Sequence, residues 1–171
     1  MRFHTGAMTN DLEGWAGAEG RSDGGRLETA LAASAEDLQA AQRLRYRVFA
    51  EEMGARVDGP APGLDGDEFD EHCEHLLLRN RATGEVVGTY RLLPAVRARA
   101  VGRFYSATEF EIGALEALPG LVEIGRSCVD PRHRHGAALG ALLAGLARHI
   151  RASGYLHVMG CASVAVTPDA P

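Results

Sequence analysis

Apolar positions return along this chain in two rhythms, one helical and one extended. In SAEDLQAAQRLRYRVFAEEMG (34–54), Leu38, Ala41, Leu44, Val48 and Phe49 recur at helical spacing, and Ser34 followed three residues later by Asp37 resembles a capping box. The segment is predicted as one helix. HLLLRN (75–80) and EVVGTYRLLP (85–94) are short apolar runs joined through Ala82-Thr83-Gly84, which reads as a strand hairpin. LVEIGRSCV (121–129) is predicted as a strand ended by Asp130-Pro131. GAALGALLAGLARHIRAS (136–153) carries the clearest helical pattern, with Gly154 placed to close it. RLETALA (26–32) and YLHVMGCASV (155–164) supply a first and a last strand, and the mixed stretch 96–120 is expected to be helical in its second half.

These elements bound an organisation. Residues 1–25, rich in Gly and without periodicity, read as a disordered leader, 26–164 as one domain and 165–171 as a loose tail. Residues 55–74 are too long and too polar for a hairpin turn and read as a functional loop. The order of elements suits an α/β (α+β) fold, a mixed central sheet flanked by helices.

Composition narrows the chemistry. At 171 residues and 46% hydrophobic, the chain is sized for one domain with a real core. All 18 basic residues are Arg, which excludes a lysine nucleophile or Schiff base. The net charge of -5 gives no reason to expect nucleic acid as a partner. Three cysteines, Cys73, Cys128 and Cys161, are an odd count, and no secretory signal pattern opens the sequence, so the reading is cytoplasmic with free thiols. No apolar run approaches the ~20 residues that span a bilayer, so any contact with an inner membrane is expected to be peripheral.

Against this background seven polar or aromatic residues stand out. Arg45, Phe49, Asp67, Asp70, Arg91, Glu123 and Arg126 sit in or beside apolar segments, where unpaired charge is costly. With their spacing, Arg-x-x-x-Phe, Asp-x-x-Asp and Glu-x-x-Arg, the chain from Arg26 to Cys161 resembles the N-acyltransferases that move an acyl chain from acyl carrier protein onto ornithine, the first step of ornithine-lipid synthesis. These are relatives of the acyl-homoserine-lactone synthases on the fold of the GCN5-related acetyltransferases. The resemblance implies a further helix and hairpin beyond the strand at 155–161, so the final strands of that fold are expected to be missing. Alternatives within the same frame are an acyl-homoserine-lactone or other N-acyl amino acid synthase, or an inactive carrier-binding module.

The resemblance also implies roles. Glu123 would be the catalytic base, or hold the water that takes the amine proton, and Arg126 would orient Glu123 or the acidic loop. Three residues apart on a strand, the two point to opposite faces unless a bulge intervenes, and Gly125 is the expected bulge site. A structural ion pair is the competing reading of that couple. Backbone amides of Ser127, Cys128 and Val129 are candidate oxyanion donors. Asp67 and Asp70 form the substrate-binding set with Arg45, Phe49 and Arg91, an acidic loop suiting a dibasic substrate such as ornithine; the remaining loop acids, Asp65, Glu68, Glu71 and Glu74, are expected to be solvated. Arg45 and Arg91 either snorkel or pair with Asp67 and Asp70.

In DPRHRHGAALGALL (130–143) a strand-to-helix turn offers amides to a phosphate, and Arg134, His135, Gly136 and Ala137 are the expected phosphopantetheine contacts. Only one Gly lies in the turn, which departs from the acetyltransferase pattern and suits a carrier-protein donor. Arg97, Arg99, Arg103, Arg132 and Arg134 would meet the acidic carrier, or are scattered solubilising charges. His72, Cys73 and His75 fall short of a four-ligand zinc set, so no metal is expected. No tightly bound cofactor is expected either; the acyl-phosphopantetheine of the carrier enters as co-substrate.

Overall fold

The computed structural model describes residues 27–57, 59–134 and 137–162. The expected leader and tail, and His135 and Gly136 of the phosphate turn, lie outside them. Five strands form one sheet in chain order: β1 (Leu27–Leu31), β2 (Glu74–Asn80), β3 (Val86–Pro94), β4 (Leu121–Val129) and β5 (His157–Met159). The first four are antiparallel neighbours, and β4 pairs with β5 in parallel. The sheet is therefore mixed, as the element order implies.

Helix α1 (Ala35–Arg45) begins as the sequence indicates, with Ser34 Oγ accepting from the Asp37 amide at 3.2 Å and Asp37 reaching back to the Ala33 amide at 2.9 Å. It does not continue as one α-helix to residue 54. From Tyr46 to Glu52 the coil widens into a π-helix, closed by Gly54 in the left-handed region (φ 70°). The competing demands on this segment are visible: Val48 is buried in the core, while Arg47 and Glu52 reach the turn after β4.

Stretch 95–120 also departs from expectation, because its longest helix comes first. Here α2 (Ala95–Val101) ends at Gly102, a 3₁₀ turn spans Tyr105–Thr108, and α3 (Gly113–Glu116) is a single turn. Burial explains the order: Ala98, Phe104 and Ile112 pack with Phe69, Leu93 and Leu121, a spacing that short turns satisfy and a regular helix over 108–120 does not. The last strand is likewise shorter than expected, pairing only over three residues.

Helix α4 (Ala137–Ala152) covers one face of the sheet, where Ala138, Leu142 and Leu146 meet Leu76, Leu78, Val122 and Val129. Helix α1 and the π-helix after it cover the other, where Ala41, Leu44 and Val48 meet Leu77, Val86 and Cys128. Burial on both sides is why β2 reads as an unbroken apolar run. Gly145 brings α4 onto β1 so closely that an added Cβ would lie 2.5–2.7 Å from the Thr29 side chain, whereas a Cβ at Gly140 of the same helix would meet nothing within 4 Å.

That contrast sets the sign of two substitutions. Gly145→Ala should destabilise by about 1–3 kcal/mol through overpacking, although Gly to Ala in a helix ordinarily helps. Gly140→Ala should stabilise by about 0.5–1 kcal/mol. Urea unfolding midpoints of the two variants, moving in opposite directions from the parent, are the check.

Candidate active site

The site is built on the α1 face of the sheet, around a defect in β4. Between β3 and β4, Arg91 pairs with Gly125 and Thr89 with Cys128, so two steps on β3 oppose three on β4. The extra residue is a bulge. Gly125, expected to supply it, stays in register; the left-handed position falls on Arg126 instead, with φ 48° and alone among the described non-glycine residues. Such a conformation costs about 1–2 kcal/mol for a residue with a Cβ. Arg126 is held there by Asp65 and Asp67, each 3.6 Å from its guanidinium, and by the Phe49 and Tyr105 rings, both 5.9 Å away. The bulge turns Arg126 to the same face as Glu123.

Arg126 is one of three guanidiniums that meet three carboxylates. Arg45, which is fully buried, donates to Asp70 at 2.5 Å and to the Asp65 carbonyl, with its Nε 3.5 Å from the Asp65 carboxylate. Arg91 donates to Asp67 at 2.6 Å and to Asp70 at 2.9 Å, and stacks over Phe69 and Tyr105 at 5.8 and 5.9 Å. Gln42 adds a fourth donor, to Asp70 at 2.9 Å. The pairing of Arg45 and Arg91 with Asp67 and Asp70 is thus present in the structure, and it pins the 55–73 loop to the sheet.

Burial pushes the Asp70 carboxyl up, but the Arg45 charge and the hydrogen bonds from Arg45 and Gln42 outweigh it and hold the group at about 2. For Asp65 the balance reverses: burial raises it, and Arg126 and Arg45 offset that only in part. Asp65, expected in solvent, is instead 1% exposed inside the cluster. Glu74, also expected in solvent, is half-buried, accepting from Tyr155 at 3.1 Å and lying 2.7 Å from His149 Nε2.

Glu123 is buried on β4 and points to the same face. Its Oε2 accepts from the Tyr105 amide at 2.7 Å, and its Oε1 from the Ser106 amide at 2.7 Å and from the Ser106 hydroxyl. Cys161, just beyond β5, donates from Sγ to Ser106 Oγ at 3.2 Å. Arg126 contacts the acidic loop rather than Glu123. Beyond Glu123 and Met159 the β4–β5 pairing ends, and β4 runs on to Val129 with that edge free of a partner strand among the described residues. The amides of Ser127, Cys128 and Val129 belong to this stretch. A Cβ at Gly125 would meet nothing within 4 Å, so space is open beside it.

The turn after β4 is organised by Asp130, which accepts from the Arg132 amide at 2.9 Å and from its guanidinium, and is held below the usual carboxylate range by those bonds. Arg134 makes a bidentate pair with Glu52 at 2.5 and 2.8 Å, and Ala137 opens α4. Several arginines expected to face a carrier are therefore already paired: Arg132 with Asp130 and Glu85, Arg97 with Glu74, and Arg103 with Glu68. Burial pushes the Cys73 and Cys128 thiols up to about 12, so neither is a thiolate at neutral pH. His75 is lowered by burial and rests with Nε2 3.0 Å from the Asp70 carbonyl. Among the described residues no three His, Cys, Asp or Glu side chains converge as metal ligands, and no helix is long and apolar enough to cross a membrane.

The cluster gives a pH signature. Folded Asp70 takes its proton only near pH 2, whereas the unfolded chain takes it near 3.9, so its contribution is complete above about pH 4 and drains away as pH falls toward 2. That loss should amount to roughly 2–3 kcal/mol. Asp70→Asn should lack this part of the acid limb and should lose about 3–5 kcal/mol at neutral pH by leaving buried Arg45 with only the more distant Asp65 carboxylate. Asp65→Asn should cost less, since burial already disfavours its charge. Unfolding free energies of the three proteins from pH 7 to pH 2 are the measurement.

Comparison with known proteins supplies the context for this geometry. A family model described as an acetyltransferase (GNAT) domain matches residues 44–144. L-ornithine N(alpha)-acyltransferase of Rhizobium meliloti is 43% identical over 148 residues, 80% of this chain and 50% of that protein. The protein of the same name from Rhodobacter capsulatus is 42% identical over 146 residues, covering 80% and 56%. An acyl-homoserine-lactone synthase of Agrobacterium fabrum is more distant, at 33% over 133 residues, covering 71% and 60%. The chain spans about half the length of the ornithine acyltransferases it matches. Among solved structures, the CoA-dependent acyl-homoserine lactone synthase MesI superposes with a TM-score of 0.61 at 22% identity, over 78% of this chain and 69% of that one, a likeness of fold. With the family model spanning more than half its residues, and the mixed sheet and helices around β4 in the matching arrangement, the chain belongs to the GNAT acetyltransferase family.

Proposed function

We propose that the chain is the N-acyltransferase portion of a protein that passes a (3-hydroxy)fatty acyl group from acyl carrier protein to the α-amine of ornithine, the first step of ornithine-lipid synthesis. The observation that carries this reading is the convergence of Arg45, Phe49, Asp67, Asp70, Arg91, Glu123 and Arg126 on one face of the sheet at the fork of β4 and β5, in a chain 42–43% identical to proteins named for that activity.

Acyl transfer to an amine needs a held thioester, a polarised carbonyl and a base. The free edge of β4 can take the extended phosphopantetheine arm beside it, with the Ser127 to Val129 amides as carbonyl donors and the 130–137 turn at its phosphate end. The amine attacks the thioester carbon, the C–S bond breaks, and the amine proton passes to Glu123. Within the Arg–Asp cluster, Asp67 and Arg126 have the most exposed side chains, 21% and 27%. They are the members available to ornithine's side-chain ammonium and to its carboxylate. Asp70, Arg45 and Arg91 are buried and support them. The carrier docks from the cytoplasm, and contact with the inner membrane is peripheral.

The test is incubation of the chain with acyl-carrier and acyl-CoA thioesters and a panel of amines, read by mass spectrometry. Ornithine with a carrier-bound donor should be used best, and Glu123→Gln should lower turnover by about two to four powers of ten with KM little changed. Preference for S-adenosylmethionine as the amine would transfer the assignment to the lactone synthases, and near-normal turnover by Glu123→Gln would remove the base.

A further inference from the structure

We infer that Ser106 is the proton port of Glu123, a relay hydroxyl standing between the reacting amine and the carboxylate; this rests on the acyltransferase reading above. Glu123 is only 5% exposed, and three donors reach its carboxylate: the Tyr105 amide, the Ser106 amide and the Ser106 hydroxyl. Amide protons hold the carboxylate in place but do not travel. Of the three donors only the hydroxyl can accept one proton while it passes another on.

The far side of that hydroxyl is the side toward the fork. Ser106 Oγ accepts from the Cys161 thiol at 3.2 Å, and Cys161 follows β5 immediately after the last paired residues, partly exposed. So the chain Cys161, Ser106, Glu123 runs inward from a partly exposed thiol at the end of β5 to the buried carboxylate. Ser106 is itself only 4% exposed, so an amine reaches its hydroxyl by taking the place of the Cys161 thiol. In the step itself the amine nitrogen forms its bond to the thioester carbon and its N–H proton moves to Ser106 Oγ. The hydroxyl proton moves at the same time to Glu123 Oε1. Ser106 ends neutral, the C–S electron pair leaves with the pantetheine thiolate, and the proton on Glu123 returns by the same route to neutralise it.

Ser106 has two independent tests. Ser106→Cys under mild oxidation should give a disulfide to Cys161, detected by peptide mapping, while buried Cys73 and Cys128 stay reduced; absence of that crosslink overturns the placement. In the transfer assay, Ser106→Ala should lose about 10- to 100-fold in kcat at pH 7 with KM for both substrates within about twofold, because the two amides still hold Glu123. Ser106→Thr, which keeps a hydroxyl at the same place, should restore turnover. A Ser106→Ala variant with wild-type kcat and pH profile, beside an active parent, overturns the relay and leaves the functional reading standing. A deficit in Ser106→Ala that Ser106→Thr does not restore makes the residue structural and also overturns it. A parent chain without transfer activity overturns the functional reading, and the relay falls with it.

Discussion

A guanidinium buried to complete exclusion from solvent is the constraint around which this molecule is arranged. Arg45 cannot sit in the core uncompensated, so the loop after the π-helix must fold back to deliver Asp65 and Asp70 to it. Once there, Asp70 also meets Arg91 on β3, and Asp67 joins Arg91 to Arg126 on β4. Helix, loop and two strands are thereby tied through one charge-balanced knot. The strained backbone at Arg126 persists because the knot holds it, and Glu123 and Arg126 share a face because that backbone is strained.

The second organising element is electrostatic closure at the end of β4. Asp130, Arg132, Arg134, Glu52 and Glu85 satisfy one another across the turn, the π-helix and the β2–β3 hairpin. A surface that looks basic in the sequence is largely neutral in three dimensions. Long-range steering of an acidic partner is accordingly weaker than a count of arginines implies, and an incoming phosphate must compete with Glu52 for Arg134.

Much of the fold was legible in the sequence, because strong periodicity marks α4, β2, β3 and β4, and because Ser34 and Asp37 announce the start of α1. The need for a bulge between Glu123 and Arg126 followed from strand parity together with the shared cleft that the family resemblance implies. Its location did not: Gly125 is the residue that local propensity selects, and the energy that moves the left-handed position to Arg126 comes from Asp65 and Asp67, on a loop far earlier in the chain. Asp65 reads as solvated and Gln42 passes unnoticed for the same reason, since their partners are distant in the chain. Tyr105 and Ser106 escaped because two of the three bonds they make to Glu123 come from backbone amides, which residue type does not reveal.

The three thiols divide sharply by environment. Cys73 and Cys128 are sealed in apolar surroundings, whereas Cys161 stands partly open where β4 and β5 diverge. The chain therefore carries a built-in single attachment point for a spectroscopic label, reached without first removing other cysteines. A fluorophore or spin label on Cys161 would sit beside the free edge of β4, and its signal would follow any polypeptide or thioester arm that comes to lie there.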